Sequence, residues 1–263
     1  MTRPVVVDIG NSLIKFALAD ECDGLDTSHV ARLPADEPDT WAAQLRQWGV
    51  SRVAGWEVAS VNPHRLKRLR RWIDGRNEPV RVVKHRSQVA VKLNVDAPDR
   101  VGLDRLLNAL AVLEYLPKGT PAVVIDVGTA VTVDLLDESH VFQGGAILPG
   151  PRVMFESLHG QTAELPLVEG HAVPAVALPG KHTRHAMEAG VMAAQFGAAE
   201  YLVREYARDS VNPPWVILTG GALGAMADYQ FPGVGPTRTD PLLTLRGVQL
   251  AAASRPYSTG TTS

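Results

Sequence analysis

One cysteine, Cys22, is all that this chain of 263 residues has. No internal disulfide can staple it, and the composition suits a reducing compartment, so the expected location is the cytoplasm. Surplus charge is scarce as well. A formal net charge of −2 provides no general field to draw the chain to nucleic acid or to an anionic membrane, so an anionic ligand has to be held by local features. Long apolar runs are missing. The most apolar stretch, Leu103 to Leu116, is interrupted by Asp104, Arg105, Asn108 and Glu114, too polar to span a bilayer, and the first residues show no charged leader before an apolar core. Basic clustering is confined to one short amphipathic helix over His64–Trp72, where Arg65, Lys67, Arg68, Arg70 and Arg71 surround Leu66, Leu69 and Trp72. It reads as a solvated basic face. The expectation is a soluble protein without a nucleic-acid or membrane partner.

What the chain does have is a phrase said twice. PVVVDIGNSLIKFALAD, from Pro4, returns as AVVIDVGTAVTVDLLDE from Ala122, so that Asp8 answers to Asp126 and Gly10 to Gly128. Each copy is an apolar strand ending in Asp-x-Gly, a small polar turn and an alternating second strand, which predicts a hairpin. Between the copies, strands are expected near Val30, over Val53–Val58 and over Val80–Val83, with a helix over Thr40–Trp48. A helix from Gly102 to Tyr115 closes the first half. After the second hairpin come a strand over Val141–Leu148, a helix around Val153–His159, a long helix from His182 to Tyr206, a strand over Trp215–Thr219, a Gly-Gly turn into a helix, and a last helix from Asp240 to Ala253. The polar tail SRPYSTGTTS is expected to fray. With 45% hydrophobic residues the chain can bury a sizeable core, and its length suits two lobes.

An Asp-x-Gly turn leaves backbone N–H groups and one carboxylate facing the same space, where amides and hydroxyls take phosphate and the carboxylate takes a cation. A single such turn is explained equally well as a plain hairpin. Two with the same strand context and the same carboxylate suggest a phosphate clamp, and ILTGGA at Ile217 to Ala222 supplies glycines for close approach to an adenine or ribose. In this order the three elements resemble the acetate kinase, sugar kinase, Hsp70 and actin superfamily. That resemblance implies an α/β fold of two similar ribonuclease H-like lobes with a nucleotide cleft between them, here assigned to residues 1–100 and 101–263.

VGLDRLLNALA at Val101, GGAILPG at Gly144, TAELP at Thr162 and GKHT at Gly180 narrow the resemblance to the type III pantothenate kinases, from Val5 to about Gly221. The roles that follow are implied by that resemblance. The activity is transfer of phosphate from ATP to pantothenate, the first step of coenzyme A biosynthesis. ATP would be held by Asp8, Ile9, Gly10, Asn11, Ser12, Leu13, Ile14 and Lys15 of the first hairpin and by Thr129 of the second. Asp104 would be the general base. By position alone, an acid in the first turn of a helix simply favours the dipole. Gly102, Leu103, Arg105, Thr183 and Val95 would complete the substrate pocket, with Arg105 gripping the pantothenate carboxylate. Taken alone, Thr183 at a helix start reads as a cap. Asp8 would hold Mg2+ through water and Asp126 a monovalent cation, K+ or NH4+. Ala186, Gly190, Ala194, Gly197 and Ala198 make a small-residue face that in the family contributes to a homodimer, and that otherwise packs within one chain. Two departures bear on the substrate: Val95 stands where relatives usually carry tyrosine, and His182 where asparagine is usual. A nucleotide-binding accessory factor for transcription and a kinase of another small hydroxy acid are the competing readings.

Overall fold

A computed structural model describes residues 3–10, 13–20 and 24–253. Asn11, Ser12, Cys22 and the tail from Ser254 lie outside the described residues, and with them two of the expected ATP ligands and the expected fraying. The chain divides into two compact units that do not coincide with a cut after residue 100. One comprises residues 1–91, 99–114 and 242–263, the other residues 92–98 and 115–241.

The first unit is built on a five-stranded sheet. β1 (Val5–Ile9), β2 (Leu13–Ala19) and β3 (Leu25–Pro34) run antiparallel in succession, while β4 (Trp56–Ser60) and β5 (Val80–Val83) join on the other side of β1 in parallel, giving the order β3-β2-β1-β4-β5. Alternation decides the faces. Val5, Val7 and Ile9 share a core with Phe16, Trp56 and Val58, covered by Trp41 and Leu45 of α1 (Pro38–Gln47) and Leu69 and Ile73 of α2 (Pro63–Gly75). Val6 and Asp8 therefore point to the opposite face, the one against which α6 (Leu243–Ala253) packs. α6 also holds α3 (Leu103–Leu113), and only glycine fits at the crossing: a Cβ on Gly247 would sit 2.1 Å from the Leu107 carbonyl oxygen. Sequence pattern placed the fourth strand over Val53–Val58. The strand instead starts at Trp56, because the Val53 N–H bonds the buried Glu78 carboxylate rather than a neighbouring strand.

The second unit repeats the plan. β7 (Ala122–Val127), β8 (Ala130–Leu136) and β9 (Val141–Pro149) are antiparallel, and β10 (Trp215–Thr219) and β11 (Thr237–Thr239) add in parallel beside β7. The short β6 (Lys92–Leu93) caps the other edge, so the order is β11-β10-β7-β8-β9-β6. α5 (Thr183–Ala207) packs Ala199 and Val203 onto Val123, Ile125, Val127, Val131 and Val133. α4 (Pro151–Gln161) lies beside it, with Phe155 in a smaller core with Met187 and Val191. The helix expected directly after the two glycines is one 3-10 turn, Gly224–Met226, since the chain there folds back on Val173, whose carbonyl accepts from the Ala225 N–H. The two-residue β6 and three-residue β11 carry no period of their own and were not expected.

Candidate functional site

The two hairpins put their carboxylates in matching places. Asp8 pairs in register with Lys15, and Asp126 with Thr132. In the first, Lys15 Nζ lies 3.6 Å from Asp8 Oδ2, both side chains mostly buried. In the second, Asp126 stands between two hydroxyl residues, Thr132 on β8 and Thr219 on β10, and all three fall on the face opposite the Val123–Val127 core. Thr219 is fully buried, and its hydroxyl has no hydrogen-bond partner among the described residues. Buried polar atoms are rarely left so, and an oxygen of this kind beside a carboxylate suits a cation. Sequence reading missed Thr219, because the cross-strand register that brings it beside Asp126 is set only when β10 pairs with β7.

Each turn is closed by its own main chain, and the second is also packed from outside. Gly10 N–H bonds the Leu13 carbonyl and Gly128 N–H the Ala130 carbonyl, both at 3.0 Å. Thr129 is exposed at the tip of the second turn. Gly150, the last glycine of GGAILPG, donates its N–H to the Thr129 carbonyl at 3.0 Å, and a Cβ there would fall 2.1 Å from the Gly128 oxygen. Gly220 has φ +106°, and a Cβ on it would lie 2.6 Å from Asp126 Oδ1 and 2.3 Å from the Val127 oxygen. Gly150 and Gly220, one from each motif, are thus required by the close approach of the second turn.

Gly102 N-caps α3 without a side chain, and Asp104 falls in its first turn. The Asp104 carboxylate folds back: its Oδ1 accepts the Arg105 N–H at 3.0 Å and would lie 2.5 Å from a Cβ on residue 102. A side chain at position 102 would push the Asp104 carboxylate out of this place. Leu103 is buried beneath, Asp104 and Arg105 are half-buried, and the Arg86 guanidinium donates to the Val101 carbonyl, tying down the chain just before the motif.

Thr183 opens α5 but does not cap it. His182 does, accepting the His185 N–H on its ring nitrogen at 3.3 Å, so the histidine takes over the capping task that asparagine ordinarily performs. Thr183 is exposed on a cavity of about 900 Å³ between α4 and α5, whose walls include Met154, Leu158, Met187 and Val191 and whose rim carries Lys181. Its lining also takes in Gly180 and His182 of GKHT, Leu165, Ala186 and Gly190, but none of the other residues expected to hold ATP, pantothenate or a metal. Val95 lies 3.5 Å from a Cβ built on Gly144, at the edge of the second sheet. Asp8, Lys15, Asp104 and Arg105 belong to the first unit, and Val95, Asp126, Thr129 and Thr183 to the second.

No helix among the described residues is long and apolar enough to cross a membrane. Among solved structures, a putative 2-dehydro-3-deoxygalactonokinase from Sinorhizobium meliloti is similar over 96% of this chain and 98% of its own, at 13% identity and a TM-score of 0.56. The ethanolamine utilization protein EutJ from Carboxydothermus hydrogenoformans is similar over 95% and 90%, at 13% and 0.53. These likenesses show the fold, a two-sheet α/β plan. In sequence, the chain is 38% identical over 163 residues to a type III pantothenate kinase of Listeria monocytogenes, a match spanning 62% of this chain and 60% of that relative. A type III pantothenate kinase of Acidiphilium cryptum is 33% identical over 96% of this chain and 95% of its own length, and one of Gluconobacter oxydans is 31% identical over 94% and 92%. The family described as type III pantothenate kinase matches residues 5–205, which hold both Asp-x-Gly hairpins, Gly-x-Asp-Arg and GKHT, and the chain belongs to that family.

Proposed function

We propose that the protein phosphorylates pantothenate with ATP, giving 4'-phosphopantothenate and ADP, the entry to coenzyme A biosynthesis. The observation that carries the reading is similarity to type III pantothenate kinases along nearly the whole chain, joined to the Gly102–Asp104 geometry at the start of α3. Kinases of this family use ATP with a divalent metal. Asp8, beside Lys15, would hold Mg2+, which would offset the charge of the phosphates. The pantothenate hydroxyl oxygen forms a bond to the γ-phosphorus as the bond to ADP breaks, and its proton passes to the Asp104 carboxylate. In a loose transition state the protein's task is mainly positioning and charge stabilisation, which suits a carboxylate base at a fixed helix start.

Asp126, with Thr132 and Thr219 on either side, fits a monovalent cation, K+ or NH4+, since a carboxylate and hydroxyl oxygens are the donors such ions take. Asn11, Ser12 and Thr129 complete the phosphate contacts. Arg105 and Thr183 grip the pantothenate carboxylate, Arg105 by its planar fork, with Val95 at the pocket's edge. α5 leaves Ala186, Gly190, Ala194 and Gly197 exposed, and a Cβ on Gly190 or Gly197 would meet nothing within 4 Å. That bare face supports a homodimer, and the single cysteine supports a cytoplasmic setting. An accessory factor with no kinase activity would have no need to keep Asp104 and the glycine that seats it.

The test is ATP consumption with pantothenate and with pantothenol, which has a hydroxyl in place of the carboxylate, each in K+ and in Na+. Pantothenate should be preferred by about 1.5–3 kcal/mol in kcat/KM, the size of a hydrogen bond to a charged group. Equal use of acid and alcohol would show that the carboxylate is not read.

A further inference from the structure

The basic residues of α2 do not all face water. Lys67 and Arg71 are exposed, and Arg70 pairs with Asp74 one turn along. Arg65 turns inward to the first hairpin. Its Nη1 donates to the Gly10 carbonyl at 3.1 Å, and its Nη2 to Asp36 Oδ2 at 3.1 Å. Asp36 is held in turn by Arg68, which bonds its carbonyl at 2.7 Å. The Asn62 side chain caps α2 by accepting the Arg65 N–H at 3.2 Å, so the helix start that carries Arg65 is itself fixed. One residue further back, the Val61 N–H bonds the Ile9 carbonyl at 3.3 Å. The β4–α2 segment thus bonds both carbonyls at the entry to the turn, one with its backbone and one with Arg65.

We propose that Arg65 is a positioning residue for ATP: it fixes the Gly10 turn through the carbonyl and adds a second cation, beyond Lys15, beside the phosphate-binding hairpin. The inference rests on the reading that this hairpin holds the ATP phosphates. An ion pair with Asp36, which is 54% exposed, contributes little stability in water, so the bond to the Gly10 carbonyl is the contact with consequences. A guanidinium can bond a carbonyl and a carboxylate in one plane with separate nitrogens, whereas a lysine ammonium is a point charge without that fork. Small displacements of groups that orient a substrate are costly because the bound geometry must be held closely.

Steady-state kinetics of Arg65→Ala, Arg65→Lys, Lys15→Ala and Arg71→Ala, with thermal unfolding of each, test this. Arg65→Ala should raise KM for ATP by about tenfold, in the range of losing a hydrogen bond to a charged group, with KM for pantothenate within about twofold of wild type and an unchanged unfolding temperature. Arg65→Lys should fall between, guanidinium ion added at millimolar concentration should restore part of the Arg65→Ala loss, and Arg71→Ala should behave as wild type. An unchanged KM for ATP in Arg65→Ala while Lys15→Ala raises it would overturn the inference and leave the hairpin reading standing. Unchanged values in both would remove the hairpin reading and the inference together. A lowered unfolding temperature with both KM values shifted and no rescue would make Arg65 a structural residue only. Should Arg65→Ala not fold, Arg65→Met carries the test: it keeps the apolar stem and loses the donors to the Gly10 carbonyl, it should raise KM for ATP in the same direction, and no change there would also overturn the inference.

Discussion

In both units the carbonyl just before the turn glycine is bonded by an amide from the loop that follows the next parallel strand: Val61 N–H to Ile9 in the first, Ala222 N–H to Val127 in the second. Past that point the units part. The second turn is packed by main chain, with Gly150 and Gly220 pressed against Gly128, Val127 and Asp126 so closely that neither tolerates a side chain. The first turn is held by a side chain, Arg65, and a Cβ on Gly10 would come only within 3.3 Å of the Leu13 oxygen. The carboxylates differ in the same sense. Asp8 faces a built-in cation, Lys15, while Asp126 faces hydroxyl oxygens. A duplicated fold therefore offers two Asp-x-Gly turns of different character, one with basic side chains beside it and one with hydroxyl residues on either side of its carboxylate.

The largest effect should come from a residue that belongs to neither hairpin. Asp104→Asn keeps shape and hydrogen bonding but cannot accept the proton, and turnover should fall by about 10²–10⁴-fold with ATP affinity and unfolding unchanged. Single-turnover rates close to wild type would return Asp104 to a helix-dipole role and make the hairpins the whole of catalysis. Next in size, Asp126→Ala should cost about tenfold or more in kcat/KM for ATP through lost charge stabilisation and abolish the difference between K+ and Na+. Asp8→Ala should leave that difference in place and shift the Mg2+ requirement. Activities measured across both cations decide it, and identical cation profiles for the two variants would erase the asymmetry. Smallest, Gly150→Ala should destabilise the fold by about 1–3 kcal/mol through overpacking, against less than about 1 kcal/mol for Gly10→Ala, whose Cβ meets a single tight contact at 3.3 Å that a shift of a few tenths of an ångström relieves. Urea unfolding of the pair checks this, and equal losses would mean that the two turns are held alike.

Most of the sheet was legible in the sequence, because apolar alternation with Gly-rich punctuation marks strands directly. The hairpins, β9, β10 and the six α-helices of the described residues lie close to their expected spans. The short edge strands were not legible, since two or three residues carry no period and are strands only by pairing with a longer neighbour. The division of the chain was not legible either. α3 and α6 lie on either side of the second unit in sequence, and what assigns them to the first is the packing of α6 on β1 and β4, with α3 joined to α6 at the close crossing of Gly247 and Leu107.

Sequence by itself determined the repeated carboxylates, the Gly-x-Asp-Arg motif and the family they name, because those are matters of residue type and order along the chain. Tertiary structure alone decided that Gly102 makes room for the Asp104 carboxylate, that Thr219 comes beside Asp126, that His182 rather than Thr183 caps α5, and that Arg65 reaches back to Gly10. The last joins residues 55 apart in sequence. Local pattern cannot report such a contact, since a basic helix reads the same whether its arginines meet water or a carbonyl. Only the packing of α2 on its sheet selects which of them turns inward.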